Sequence, residues 1–139
     1  MKRILQFLAC ASMTLSLTAQ AQSAQDVEQA KAAAGSWLAL ADSNRAASTW
    51  TEAAEPFQKA VSQSDWTQAL QALRAPLGPL KSRTVKSATF AKNPPGAPEG
   101  EYVVIVYAST FANKPDAVET VTPARAKDGN WKVSGYFLR

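Results

Sequence analysis

The apolar pattern of this chain changes period once. Up to Leu80 the apolar residues recur at helical spacing, and beyond it they alternate. The stretch "RAPLGPL" marks the boundary, because Pro76, Gly78 and Pro79 cannot continue a helix. A chain divided in this way is expected to fold as α+β, with three N-terminal helices packed on a four-stranded antiparallel meander sheet.

The first helix is expected over residues 26–41, where Val27, Ala30, Ala34, Trp37, Leu38 and Ala41 form one stripe on an alanine-rich background. A loop at Asp42, Ser43 and Asn44 follows. Trp50, Ala53, Ala54, Phe57 and Val61 then repeat the stripe. Its phase carries through Pro56, so the spacing predicts one helix over 46–61, bent or locally broken at the proline. Ser64 is the expected N-cap of the third helix, with Asp65 in the first turn and Trp66, Ala69, Leu70 and Leu73 on the buried face.

Residues 81–92 read as the first strand and "NPPGAPEG" as a turn. Residues 101–111 read as the strongest strand, with Tyr102, Val104 and Val106 on one face and Val103, Ile105, Tyr107 and Phe111 on the other. Apolar residues on both faces predict a central strand covered on both sides. "ANKPD" turns the chain into a third strand over 117–126, and Asp128 with Gly129 gives a two-residue hairpin signal before the fourth. That loop sets a register. Ala126 faces Trp131, Thr122 faces Gly135, Thr120 faces Phe137 and Val118 faces Arg139, on the face expected to meet the helices with Val133 and Ala124. The opposite face pairs Arg125 with Lys132, Val121 with Tyr136 and Glu119 with Leu138. Pro123 lies there without a ladder donor, so a bulge or an end of pairing is expected beside it.

The chain opens with Lys2 and Arg3, an apolar run, and Ala19 and Ala21 as an A-x-A signal. This reads as a secretory signal peptide over residues 1–21, cleaved after Ala21, and places the protein in the periplasm or outside the cell. The apolar run before Cys10 is too short for a lipoprotein signal. Residues 22–139 then form a single α+β domain of 118 residues, the size of one core. No later stretch reaches the roughly 20 apolar residues that cross a bilayer, so no membrane span is expected after cleavage. Cys10 is the only cysteine and leaves with the signal, so neither a disulfide nor thiol chemistry is expected. Loss of Lys2 and Arg3 lowers the formal charge from +4 to +2, which makes nucleic acid a poor partner.

The chain has no histidine, which removes the Ser-His-Asp triad and the usual zinc sites; no metal or cofactor is expected. Glu119 lies inside a strand, beside Lys132 or Arg139 in the registers considered. Its expected role is a solvated cross-strand charge, with catalysis as the alternative. Trp37, Trp50, Trp66 and Trp131 are expected in the core, against a sugar-stacking alternative. Lys81, Arg83 and Lys86 read as guards of an edge strand, against an anion site.

Several segments together resemble a family of small exported bacterial proteins, domain of unknown function 4019. They are Trp37 and Leu38; Trp50 with Ala53, Ala54 and Phe57; Trp66 followed by "RAPLG"; then "KSRTVKSATF", "PGAPEGEYVVIVY", "FANK", "AVETVT" and "DGNWKVSGYF". The resemblance implies a periplasmic domain of helices packed on an antiparallel sheet, and it brings no catalytic residues. The layout is also similar in part to the cone-shaped fold of nuclear transport factor two, although no strand is expected between the second and third helices, where that fold places one.

The expected function is a non-enzymatic binding or protein-interaction module, whose partner is a small ligand or a protein. Arg83, Tyr107, Glu119 and Trp50 are the candidate ligand contacts. Val121, Tyr136 and Leu138 are the candidate interaction face, because no helix is left to cover them, and a homodimer through that face is expected. The alternative is a small cone-fold hydrolase or isomerase that uses Glu119 or Tyr107 with Arg83. Burial of Glu119 beside a cavity would favour the enzyme; exposure would favour the module.

Overall fold

The computed structural model describes residues 14–139. The expected signal peptide therefore lies in large part outside the described residues, as does Cys10.

Helix α1 (Thr14–Asp42) begins earlier than the stripe predicts. Its first turns are rich in Ala, Gln and Ser, which favour or tolerate helix without burial. Contact with the rest of the domain starts at Asp26 and Val27 and continues along the expected stripe, with Ala30, Ala34, Trp37, Leu38 and Ala41 all buried.

The single helix expected over 46–61 is two, so the layer holds four helices instead of three: α2 (Ala46–Thr51), α3 (Glu55–Ala60) and α4 (Gln63–Arg74) follow α1. An unbroken helix would need an N–H on Pro56 to bond the carbonyl of Glu52, and proline has none. The chain instead extends at Ala54 (φ −64°, ψ 148°) and restarts with Pro56 in the first turn of α3. The break frees the Ala54 N–H, which donates to the Val133 carbonyl at 2.8 Å and ties the helical layer to the sheet edge. The third expected helix, α4, starts two residues early, because Ser62 is its cap and accepts from the Asp65 N–H at 3.1 Å.

A 3-10 turn (Ala75–Leu77) and Gly78 end the helical layer. Gly78 has φ +70°, and a Cβ there would come within 3.1 Å of both Ala112 and Asn113. The positive φ calls for glycine, and a Cβ would in addition crowd both neighbours. The strands β1 (Leu80–Lys92), β2 (Glu101–Phe111), β3 (Lys114–Arg125) and β4 (Trp131–Leu138) then pair antiparallel in the order β1-β2-β3-β4. Among the described residues no strand precedes β1.

The β3–β4 hairpin corrects the expected turn. The Gly129 N–H donates to the Ala126 carbonyl and the Ala126 N–H to the Asn130 carbonyl, so the loop is Lys127, Asp128 and Gly129. Gly129 has φ +87° while Asp128 keeps a negative φ, which excludes a type I′ turn and fits the three-residue loop that ends in a left-handed glycine. Near the loop the register is therefore one residue off the expected one, with Arg125 facing Trp131. The expected bulge at Pro123 then restores it. Pro123 pairs with Val133, Thr122 pairs with Gly135, and Ser134 is the extra residue.

That bulge exchanges the two faces of β4. Trp131 and Val133 meet the helices as expected, but past Ser134 it is Tyr136 and Leu138 that point inward, while Phe137 is 63% exposed. Val121 is fully buried, Tyr136 packs on the main core and Leu138 on the small cluster of Leu77, Phe111 and Ala117. The face expected to stay open is thus the covered one. In β2, likewise, only one face is sealed by helices: Val103, Ile105 and Tyr107 are in the core, whereas Val104 is exposed.

Candidate functional site

Six elements around one end of the core each contribute one side chain to a single cluster, four of them charged and two of them hydroxyls. Asp42 ends α1, Arg74 ends α4, and Arg83, Ser109, Glu119 and Tyr136 project from β1, β2, β3 and β4. Glu119 is fully buried and saturated with donors. Its Oε1 accepts from Arg83 Nε at 2.8 Å and Ser109 Oγ at 2.6 Å, and its Oε2 from Arg74 Nη1 at 3.3 Å and the Tyr136 hydroxyl. Asp42 completes the arrangement. It accepts from Arg83 Nη1 at 2.7 Å and Nη2 at 3.0 Å, and pairs with Arg74 Nη2.

Two guanidinium groups thus face two carboxylates, and the net charge of the cluster is zero. Burial pulls the Arg83 pKa down, but the hydrogen bonds and charges of Asp42 and Glu119 outweigh it and raise the pKa above the usual arginine value. Burial raises the Tyr136 pKa, and the adjacent Glu119 charge raises it further, so this phenol stays protonated. For Tyr107 burial also raises the pKa, with Arg83 opposing. Arg83 lies 6.0 Å from the Tyr107 ring centroid and Arg74 5.2 Å from that of Phe111, so both cations are also shielded by aromatic faces.

Of the expected ligand contacts, the structure brings Arg83, Tyr107 and Glu119 together and leaves Trp50 elsewhere. The expectation for Glu119 as a solvated charge beside Lys132 or Arg139 is corrected: its cationic partners are Arg74 and Arg83. Glu119 is buried, yet it borders neither of the two clefts described below, so neither outcome posed from sequence applies as stated. Asp42, Arg74, Ser109 and Tyr136 were not anticipated in the cluster. The available signal was positional, since Asp42 and Arg74 each end a helix, but nothing local aims both helix ends at one strand residue.

The lysines of β1 separate from Arg83. Lys81 and Lys86 are the unpaired residues at the two irregularities of the β1–β2 ladder, and both are exposed. Both stand on an edge strand, where lysines oppose pairing with another chain, while Arg83 turns inward and leaves the edge role it was expected to share.

Three of the four indoles act as internal tethers. Trp37 Nε1 donates to the Thr49 carbonyl at 2.9 Å, Trp66 Nε1 to the Thr49 hydroxyl at 2.9 Å, and Trp50 Nε1 to the Val61 carbonyl at 2.8 Å. Trp50 thereby fastens α2 to the chain between α3 and α4. Trp131 is buried beneath the Arg125 guanidinium, which stands 5.0 Å from its ring centroid. Arg125 itself pairs with the buried Asp26 and lies 2.7 Å from Glu101, a charge contact at an angle too poor for a hydrogen bond.

Two open clefts lie elsewhere on the domain. The larger, about 980 Å³, lies between α1, α2 and the end of the β3–β4 hairpin. Its wall combines small apolar residues (Ala32, Ala33, Val133) with polar side chains that both donate and accept, namely Gln29, Ser36, Ser48, Thr51 and Asn130. The charges around it, Arg45 and Lys132 against Glu52 and Asp128, balance. The smaller, about 580 Å³, lies between α3, the β1–β2 loop and the hairpin, and carries Glu55, Glu99, Arg125 and Lys127. Among the described residues no group of three or more carboxylates could hold a metal ion, and no helix is long and apolar enough to cross a membrane.

The model of a family described as a protein of unknown function, DUF4019, matches residues 33–136. No curated protein matches the chain.

Proposed function

We propose that this chain, which belongs to the DUF4019 family, is a non-catalytic binding module that works in the periplasm or outside the cell. Its ligand enters the larger cleft between α1, α2 and the hairpin. One observation carries this reading. The two inward-facing carboxylates, Glu119 and Asp42, are satisfied by Arg74 and Arg83 in a charge-balanced cluster that borders neither cleft, whereas the larger cleft presents hydroxyl and amide groups, with Glu52 and Asp128 there balanced by Arg45 and Lys132. Hydroxyl and amide groups orient a bound molecule without activating it.

Export rests on the basic start, the apolar run and the A-x-A site ending at Ala21. Intact mass of protein recovered from the native host tests it: the expected mass begins at Gln22, and a mass that retains residues 1–21, or lipid on Cys10, contradicts it.

Amide shift mapping with a library of small polar molecules tests the binding reading. Hits are expected to perturb Ser36, Ser48 and Asn130, and Ser36→Trp, at an exposed position on the cleft wall, is expected to abolish them without loss of stability. Turnover of any library member that Glu119→Gln abolishes would support the hydrolase or isomerase reading instead.

A further inference from the structure

We infer that the uncovered face of the sheet is a self-association surface on which a second copy of this chain packs, with Phe137 as its anchor. The pairing of the strands places residues in rows across that face. One row is Ser87, Val106, Thr120 and Phe137; the next runs from Thr89 and Val104 to Thr122 and Gly135. Along the two central strands this face reads Val104, Val106, Ala108 and Thr110 on β2, and Val118, Thr120 and Thr122 on β3, with no charge among them. Phe137 at 63% and Val104 at 37% exposure are among the most exposed large apolar side chains of the domain. Charged residues such as Lys132 and Arg139 stand only at the margin. An uncharged centre with a charged rim and an aromatic anchor is the anatomy of a protein interface.

Two observations select a second copy as the occupant. The first is shape. Phe137 projects from β4, and Gly135, two residues away on the same face, leaves a hollow beside it. Gly135 does not have the positive φ that would require glycine, and a Cβ there would meet only Thr122 at an ordinary 3.8 Å. The fold itself therefore accepts a larger residue. A two-fold axis running across the strands between these rows would set Phe137 of each copy over Gly135 of the other, so the face complements itself. The second is size. Four strands spaced about 4.8 Å apart, paired over about 30 Å, present roughly 600 Å² in plan before side-chain relief is counted. A standard interface buries about 800 Å² per partner, so one copy fits the face. Two sheets stacked in this way form an aligned sandwich, and the larger cleft on the helical side remains open.

The surface is independent of the cleft reading. Its test is sedimentation of the exported protein from micromolar to millimolar concentration, with circular dichroism to verify the fold of each variant. The wild type is expected to run as a dimer. Phe137→Glu, at an exposed position, is expected to stay folded and raise the dimer Kd by about thirty-fold or more. Gly135→Leu is expected to fill the hollow and raise the Kd by about tenfold or more, which a merely apolar patch would not show. A wild-type monomer throughout the range, or a dimer whose Kd neither folded variant changes, overturns the proposal.

Discussion

Two polar regions lie between the helices and the sheet of this domain, and they treat their polar atoms in opposite ways. At one end Asp42, Arg74, Arg83, Ser109, Glu119 and Tyr136 turn inward and satisfy one another. Toward the hairpin, Gln29, Ser36, Ser48, Thr51 and Asn130 line an open cleft. The difference teaches that reactive residue types do not by themselves mark a site. A carboxylate with all its acceptor positions filled by residues of its own chain has none left for a substrate, whereas weakly polar groups on an open wall do. The buried cluster is best read as a fastening, since it joins the ends of α1 and α4 to all four strands.

The comparison can be broken most sharply at Arg83. Removal of one partner from a buried ion cluster leaves charge uncompensated, so Arg83→Ala is expected to cost about 3–5 kcal/mol of stability in chemical denaturation. A loss below about 1 kcal/mol, the scale of an exposed pair, would mean that the cluster is not a fastening. Alkaline pH probes the same end. Tyr136 and Tyr107 have raised pKa values in the fold, while an unfolded tyrosine ionises near about 10. A raised pKa stabilises the fold below the unfolded value and loses that contribution as pH rises. Stability is therefore expected to fall above pH of about 10, with part of the tyrosinate absorbance appearing only on unfolding. Absorbance that develops fully before unfolding would place both phenols in solvent.

At the hairpin the expected effects are smaller. Gly129→Val forces a β-branched residue to φ +87° and is expected to cost on the order of 1 kcal/mol or more, read from the denaturation midpoint. Smallest is Phe137→Ala. With the ring exposed, it is expected to change the stability of the monomer by less than about 0.5 kcal/mol, measured at a concentration too low for association. A loss of several kcal/mol would restore the unbulged register, with Phe137 beneath the helices.

Much of the fold was legible in the sequence, because the period of the apolar residues reports which side of an element is covered. The buried stripe of α1 and the bounds of β2 follow from it, the meander follows from the turn signals between strands, and the bulge at Pro123 follows from the donor that proline lacks. The helical layer and the sheet faces were harder for one shared reason. A proline changes the direction of everything after it by an amount the pattern does not state. Pro56 split a helix whose stripe stayed in phase, and Pro123 made room for Ser134, which turned Phe137 outward and Tyr136 inward. The three-residue loop and that bulge offset each other in register, so the pairing of Thr120 with Phe137 was expected correctly while the faces were not. The cluster was legible only in its strand members. Arg74 lies 45 residues from Glu119 and Asp42 32 from Arg74, and no local spacing records where two helix ends converge. The larger cleft left no binding motif, because its wall is assembled from the separate segments of α1, α2 and the hairpin.

The central claim is that Glu119 belongs to the scaffold, and its direct test is the stability of Glu119→Gln. The variant keeps the shape of the side chain and removes its charge, which strands two buried guanidinium groups with one carboxylate between them. A structural carboxylate then costs stability when neutralised, whereas a functional one held against its surroundings releases it. The account predicts a loss of about 3 kcal/mol or more in equilibrium denaturation at neutral pH. A variant as stable as the wild type, or more stable, would contradict it and return Glu119 to the list of functional residues.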